Sequence, residues 1–184
     1  TLDADAWEGV GALAEAAALV EADASKRFDQ AIFAFTLAGV IDPARATRLA
    51  ERRKASPRAL ILAPTRELVL QIEKDAKSLS THMRCKTVAV FGGMDYERQK
   101  RWLDSLVDIV VATPGRLIDF QKQNHIHLNH VEILVIDEAD RMLDMGFIPD
   151  IEKICKLLPP RRQTLFFSAT MPPEITRLAD QFLT

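Results

Sequence analysis

Val131-Glu-Ile-Leu-Val-Ile-Asp-Glu-Ala-Asp140 sets a short apolar run directly against three carboxylates. A run this short and this apolar reads as a strand covered on both faces. A buried strand delivers Asp137 and Glu138 to the carboxyl edge of a parallel sheet, where ligands bind in open α/β folds. There the first carboxylate can hold Mg²⁺, and the next can orient or deprotonate a water. The usual companion of such a pair is a glycine-rich loop, G-x-x-x-x-G-K-[ST], and no stretch of this chain matches it.

The same pattern spreads outward from that stretch. Strands are expected at Arg58–Ala63, Thr87–Phe91, Asp108–Ala112, Glu132–Ile136 and Gln163–Phe167. Between them, apolar residues recur at helical spacing. Val69, Ile72, Ala76 and Leu79 share one face; Ile151, Ile154, Cys155 and Leu158 share another; Ile175, Leu178, Ala179 and Phe182 share a third. Alternation of strand and helix implies an α/β fold, a parallel sheet with helices on both faces. Trp102, Leu103 and Cys155 read as core, and Leu106 as part of a turn before the Asp108 strand.

Residues 1–57 differ in kind and form an atypical N-terminal segment, separate from the regular core over residues 58–184. The segment reads as largely helical. Val10, Leu13, Ala17 and Val20 can line one helix face, and Asp42-Pro43 looks like a cap followed by a first-turn proline. Phe33–Ile41 is apolar and fits a strand or a buried helix equally. Arg45, Arg48, Arg52, Arg53, Lys54 and Arg58 form a basic stretch whose default reading is a solvated face.

With 184 residues the chain is long enough for one domain with a real core. A net charge of −2 means that any nucleic-acid contact must come from a local patch. Two distant cysteines, Cys85 and Cys155, suit a reduced protein and a cytoplasmic location. No apolar run approaches the ~20 residues that span a bilayer, and the acidic, alanine-rich start does not read as a signal peptide. His125, His127 and His130 lie close together, but without nearby cysteines they read as solvated loop residues rather than a zinc site.

Four further segments end or follow an expected strand. Pro64 stops the first strand, Thr65 suits an N-cap and Arg66 opens a helix, an arrangement that suits a phosphate oxygen. Gly92-Gly93 permits a tight turn and close backbone approach to a ligand. Thr113-Pro-Gly-Arg116 is again strand, turn and helix start, able to grip a nucleic-acid backbone without reading bases. Ser168-Ala-Thr170 places two hydroxyls at the end of a central strand, within reach of a carboxylate such as Asp140. Alone, most of these segments read more simply as a cap or a turn, and Ser168–Thr170 as readily as a satisfied strand end. Their joint order, each at a strand's carboxyl end, is what separates them from that plainer reading.

That order, Ala63-Pro-Thr-Arg-Glu-Leu68, Gly92-Gly93, Thr113–Arg116, Asp137–Asp140, Ser168–Thr170, resembles the first RecA-like domain of DEAD-box RNA helicases. The run Ile136–Phe147 is similar to the bacterial branch of that family. The resemblance covers about Pro57 to the C-terminus. It implies a RecA-like sheet of the P-loop NTPase type and an ATP-dependent RNA helicase with ATP and Mg²⁺ as cofactors. Asp137 would hold Mg²⁺ through water, and Glu138 would position the hydrolytic water. Asp140, Ser168 and Thr170 would couple nucleotide state to RNA grip. Pro64, Thr65, Arg66, Gly93, Thr113, Gly115 and Arg116 would contact the sugar–phosphate backbone of RNA, without base preference. The helix after Arg116 would bend the strand, so that a short duplex melts locally.

The resemblance also shows where this chain departs from the pattern. The adenine-reading motif and the phosphate loop of the family, expected upstream of Ala63, are not found, although Phe33–Ile41 resembles the helix that normally follows the loop. Truncation, fusion or a shifted reading frame would account for that. A second RecA-like domain, which the resemblance implies for the arginine finger and half of the RNA cleft, is not among these residues. The chain alone is therefore expected to turn over ATP poorly. A non-hydrolysing module that holds RNA or a partner is the alternative. A DNA translocase of the same superfamily is a third, which the Thr113–Arg116 and Asp137–Asp140 forms disfavour.

Overall fold

The computed structural model describes residues 54–81 and 85–183. Expectations placed on earlier residues, including the Val10 face, Phe33–Ile41 and the helix from Arg45 to Arg53, lie outside the described residues. The strands are β1 (Ala59–Leu62), β2 (Thr87–Val90), β3 (Ile109–Ala112), β4 (Ile133–Ile136) and β5 (Gln163–Phe166). The helices are α1 (Arg66–Leu79), α2 (Tyr96–Leu103), α3 (Pro114–Lys122), α4 (Ala139–Asp144), α5 (Ile148–Leu157) and α6 (Pro173–Phe182). All neighbouring strands pair in parallel, in the order β2-β3-β1-β4-β5.

Handedness then decides which helix covers which face. Crossovers between parallel strands are right-handed. The step from β1 to β2 runs one way across the sheet; the steps to β3, β4 and β5 run the other way. The core divides accordingly. Ala59, Ile61, Ile109, Val111, Ile133 and Val135 face the α1 residues Val69, Ile72 and Ala76. Their strand neighbours Leu60, Leu62, Val110, Ala112, Leu134 and Ile136 face the remaining helices, through Leu103, Leu117, Phe120, Met142, Ile151, Ile154 and Leu178. Both faces are thus apolar, which is why these strands carry no polar alternation. Cys155 is buried as expected, and that burial pushes its thiol up to about 11.

Several expectations are corrected. The strands are a residue shorter at one end or both. The Phe91 amide, for instance, is taken by a side chain of α2 rather than by the neighbouring strand. Leu103 is core, but Trp102 is only half-buried, with the Arg98 guanidinium 5.2 Å above its ring. Arg58 does not sit on a solvated face: it pairs with Glu132 at 3.3 Å, joining the starts of β1 and β4. The central place expected for β5 is not seen among the described residues. Among the described residues it pairs with β4 alone and lies at the sheet's edge, half-exposed. Leu106 lies in an exposed turn. Among the described residues, no helix is long and apolar enough to cross a membrane.

Leu60 sits mid-sheet on the central strand with no exposed surface. Leu60→Ala is expected to cost about 2–5 kcal/mol, read as a drop in urea midpoint. Leu106→Ala, at a side chain 46% exposed, is expected to change stability by less than about 0.5 kcal/mol. Equal losses at the two positions would contradict this core assignment.

Candidate functional site

Because all strands are parallel, every segment that follows one emerges at the same edge of the sheet. The spatial order there is not the chain order. Across the edge come Gly92-Gly93 after β2, Thr113–Arg116 after β3, Pro64–Arg66 after β1, Asp137-Glu138 after β4 and Ser168–Thr170 after β5. The glycine and arginine segments therefore occupy one half of the edge. The carboxylates and hydroxyls occupy the other.

The first half is built from caps and rings. Thr65 has extended backbone and its hydroxyl accepts from the Leu68 amide at 3.3 Å, which starts α1 and leaves Arg66 at its first position. The Arg66 guanidinium lies 5.3 Å from the centre of the Phe91 ring. Gly93 has φ +78°, a left-handed conformation that favours glycine. A Cβ there would come within 4.0 Å of Arg66 Nη1, so the turn and this arginine are neighbours. Thr113 precedes α3 without a side-chain cap bond, and Pro114 takes the first turn, where its missing N–H costs nothing. Gly115 keeps open space where a Cβ would stand. Arg116 donates from Nη1 to the Met94 carbonyl at 3.2 Å and lies 5.6 Å from the Tyr96 ring centre. Tyr96 in turn stacks on buried Phe120, with ring centres 4.3 Å apart. Both guanidiniums thus lie over aromatic faces, and among the described residues neither forms an ion pair with a carboxylate.

Hydrogen bonds dominate the second half. Asp137 is buried, and its Oδ1 accepts from the Glu138 amide at 2.9 Å. Glu138 adopts φ 50°, ψ 51°, a left-handed conformation that costs a non-glycine residue about 1 kcal/mol or more. Its carboxylate meets Arg141 at 3.1 Å. Asp140 ties β4 to the segment after β5. The Thr170 amide and hydroxyl each donate to its Oδ2 at 2.9 Å, and the Arg141 amide donates to Oδ1 at 3.1 Å. The Ser168 hydroxyl accepts from the Asp140 amide at 3.1 Å and donates to the Thr170 carbonyl at 2.7 Å. The expected hydroxyl–carboxylate contact is therefore made chiefly by Thr170, while Ser168 bridges two backbone groups. Partial burial pushes the Asp140 carboxyl up, but the Thr170 hydroxyl and amide, then the Arg141 amide and Ser168 hydroxyl, outweigh it. They hold the group below its ordinary value.

One residue on this edge belongs to none of the motifs. Gln99 is fully buried within α2, and both ends of its amide are bonded to the Gly92-Gly93 turn. The available signal is spacing: Tyr96, Gln99 and Leu103 share a helix face in a segment otherwise full of charges. The three histidines do not converge, and among the described residues no cluster of His, Cys, Asp or Glu could hold a metal ion by itself.

Comparison with known proteins covers most of the chain. A family model described as DEAD/DEAH box helicase matches residues 33–178. The ATP-dependent RNA helicase RhlB of Pseudomonas putida is 51% identical over 137 residues, covering 73% of this chain and 34% of that protein. The protein of the same name from Xanthomonas axonopodis pv. citri is 50% identical over 134 residues, covering 71% of this chain and 24% of that one. Among solved structures, the yeast DEAD-box splicing factor Prp28 superposes with a TM-score of 0.70 at 37% identity, over 81% of this chain and 37% of its own. A hypothetical ATP-dependent RNA helicase from Sulfolobus tokodaii gives 0.72 at 35% identity, over 89% and 44%. The chain spans roughly a third or less of the curated relatives it matches.

A carboxyl group with a depressed folded pKa contributes stability above its unfolded value of about 3.9 and loses it as pH falls through the folded value. Thr170→Val removes one of the bonds that depress Asp140. A carboxyl-carbon NMR titration is expected to show Asp140 titrating at higher pH in that variant than in the wild type. An unchanged titration would show that Thr170 does not hold the group.

Proposed function

This chain belongs to the DEAD/DEAH box helicase family, and we propose that it serves as the first RecA-like domain of an ATP-dependent RNA helicase, gripping RNA with the glycine–arginine half of the sheet edge. The observation that carries this reading is the convergence of three loops from the adjacent strands β2, β3 and β1. Two of those loops present arginines steadied by aromatic rings. In this reading Pro64, Thr65, Arg66, Gly93, Thr113, Gly115 and Arg116 contact the sugar–phosphate backbone. First-turn amides of α1 and α3, which have no partner within their own helix, would add donors for phosphate oxygens. Contacts of this kind position a strand without reading its bases. The proposed consequence is affinity without base preference, with α3 bending the bound strand.

The carboxylate half is assigned to the nucleotide. Asp137 offers oxygen ligands of the kind that suit Mg²⁺; it would hold the ion through water, and Glu138 would position the attacking water. When bound, Mg²⁺·ATP would supply the phosphoryl group and neutralise its charge. Asp140, Ser168 and Thr170 would link this half to the segment after β5, so that rearrangement on one side is felt by the other. The fit is incomplete, because no G-x-x-x-x-G-K-[ST] cradle exists anywhere in these 184 residues. That favours a second reading for the chain by itself, an RNA-holding module that hydrolyses ATP feebly or not at all. A second RecA-like domain is the proposed partner for closing the RNA cleft.

Fluorescence anisotropy with labelled single-stranded RNA tests the grip. Saturable binding is expected, similar for unrelated sequences and weakening as salt rises. Arg116→Ala and Arg66→Ala should each weaken it and flatten the log–log salt slope by about 0.7 for each phosphate left without its arginine. Wild-type-like affinity and slope in both variants would overturn the assignment.

A further inference from the structure

Gln99 is the only fully buried polar side chain among the described residues, and everything it bonds belongs to one turn. Its Oε1 accepts from the Phe91 amide at 2.9 Å. Its Nε2 donates to the Phe91 carbonyl at 3.1 Å and to the Met94 carbonyl at 3.4 Å. Only this orientation of the amide satisfies all three groups, since two partners are acceptors and one is a donor. One side chain thus closes both ends of the segment from Phe91 to Met94.

The two arginines of the edge lean on the same segment. Arg116 donates to the Met94 carbonyl, the very oxygen that Gln99 also holds. Arg66 lies over the ring of Phe91, whose amide and carbonyl Gln99 holds. Gly93, between these anchors, carries the left-handed φ. We propose that Gln99 is a positioning residue: from inside the fold it fixes the Gly92-Gly93 turn, and through Phe91 and Met94 it sets both Arg66 and Arg116 for the RNA backbone. This rests on the RNA-binding reading above. Gln99 itself touches no RNA in this account.

The physical reason for an amide is reciprocity. A glutamate of the same shape can still accept from the Phe91 amide, but when charged it turns a second acceptor toward two carbonyls. When protonated it can donate to one of them again. Burial raises the pKa of such a glutamate, so that it is neutral below that value and charged above it.

The test compares the wild-type chain with Gln99→Glu. Two quantities are measured between about pH 8 and about pH 5. One is the side-chain NMR shifts of Arg66 and Arg116, which feel the ring currents of Phe91 and Tyr96. The other is RNA affinity, divided by the wild-type value at the same pH. At high pH the variant should lose the ring-shifted arginine signals and bind RNA about five-fold more weakly, the scale of one mispositioned hydrogen bond. Both should recover together as the glutamate protonates. A folded variant with unchanged arginine shifts and unchanged affinity across that range would overturn the proposal. If the variant does not fold, the wild type decides. Its Gln99 side-chain amide protons should resist solvent exchange and shift when RNA is added; rapid exchange or no shift in a sample that binds RNA would refute the role. If the wild type binds no RNA, the RNA reading fails, while the arginine shifts still report on the clamp.

Discussion

The structure depends on one constraint: parallel strands can be joined only by crossovers, and crossovers have one hand. That rule sends every strand out toward the same edge and sorts the helices between the two faces. It makes a single surface out of segments as far apart in the chain as Pro64 and Thr170. The apolar interior supplies the driving force, but an interior alone would not gather these loops. Direction and handedness do.

The gathered edge is divided, and the division follows from strand order. β2, β3 and β1 present glycines and ring-supported arginines. β4 and β5 present carboxylates and hydroxyls locked into a backbone-bonded network around Asp140. β1 and β4 are neighbours, so the two chemistries meet at the centre of the sheet, where the Asp137 amide donates to the Leu62 carbonyl at the end of β1. In the proposed reading this is where RNA grip and nucleotide chemistry are brought together. In that reading the sequence carries this domain's share of the first, and of the second only the acidic part.

Much of this is legible in the residues. Continuous runs such as Ile133–Ile136 announce strands buried on both faces, and Thr65 announces its own cap. The helical faces of α1, α5 and α6 follow from spacing. The DEAD-box resemblance, drawn from motif order, agrees with the family match. Other features are hidden because they depend on partners distant in the chain. Strand order cannot be read from local pattern: that β5 has β4 alone as its neighbour among the described residues comes from the structure and not from its composition. The Phe91 end of β2 reads one residue too long, because a glutamine eight positions later captures its amide. Ser168 looks like the equal of Thr170 as a partner for the Asp140 carboxylate, yet its hydroxyl mainly bridges two backbone groups. Gln99 looks like one more polar residue on a charged helix, and only its burial reveals what it holds.

The central claim is that RNA lies along the glycine–arginine half of this edge. Amide chemical-shift mapping of the chain with an unstructured oligoribonucleotide tests it most directly. The account expects the largest changes at residues 64–66, 92–94 and 113–116, fading toward β5. Changes centred instead on the opposite end of the sheet, around residues 126–131, or spread evenly over the surface, would contradict it.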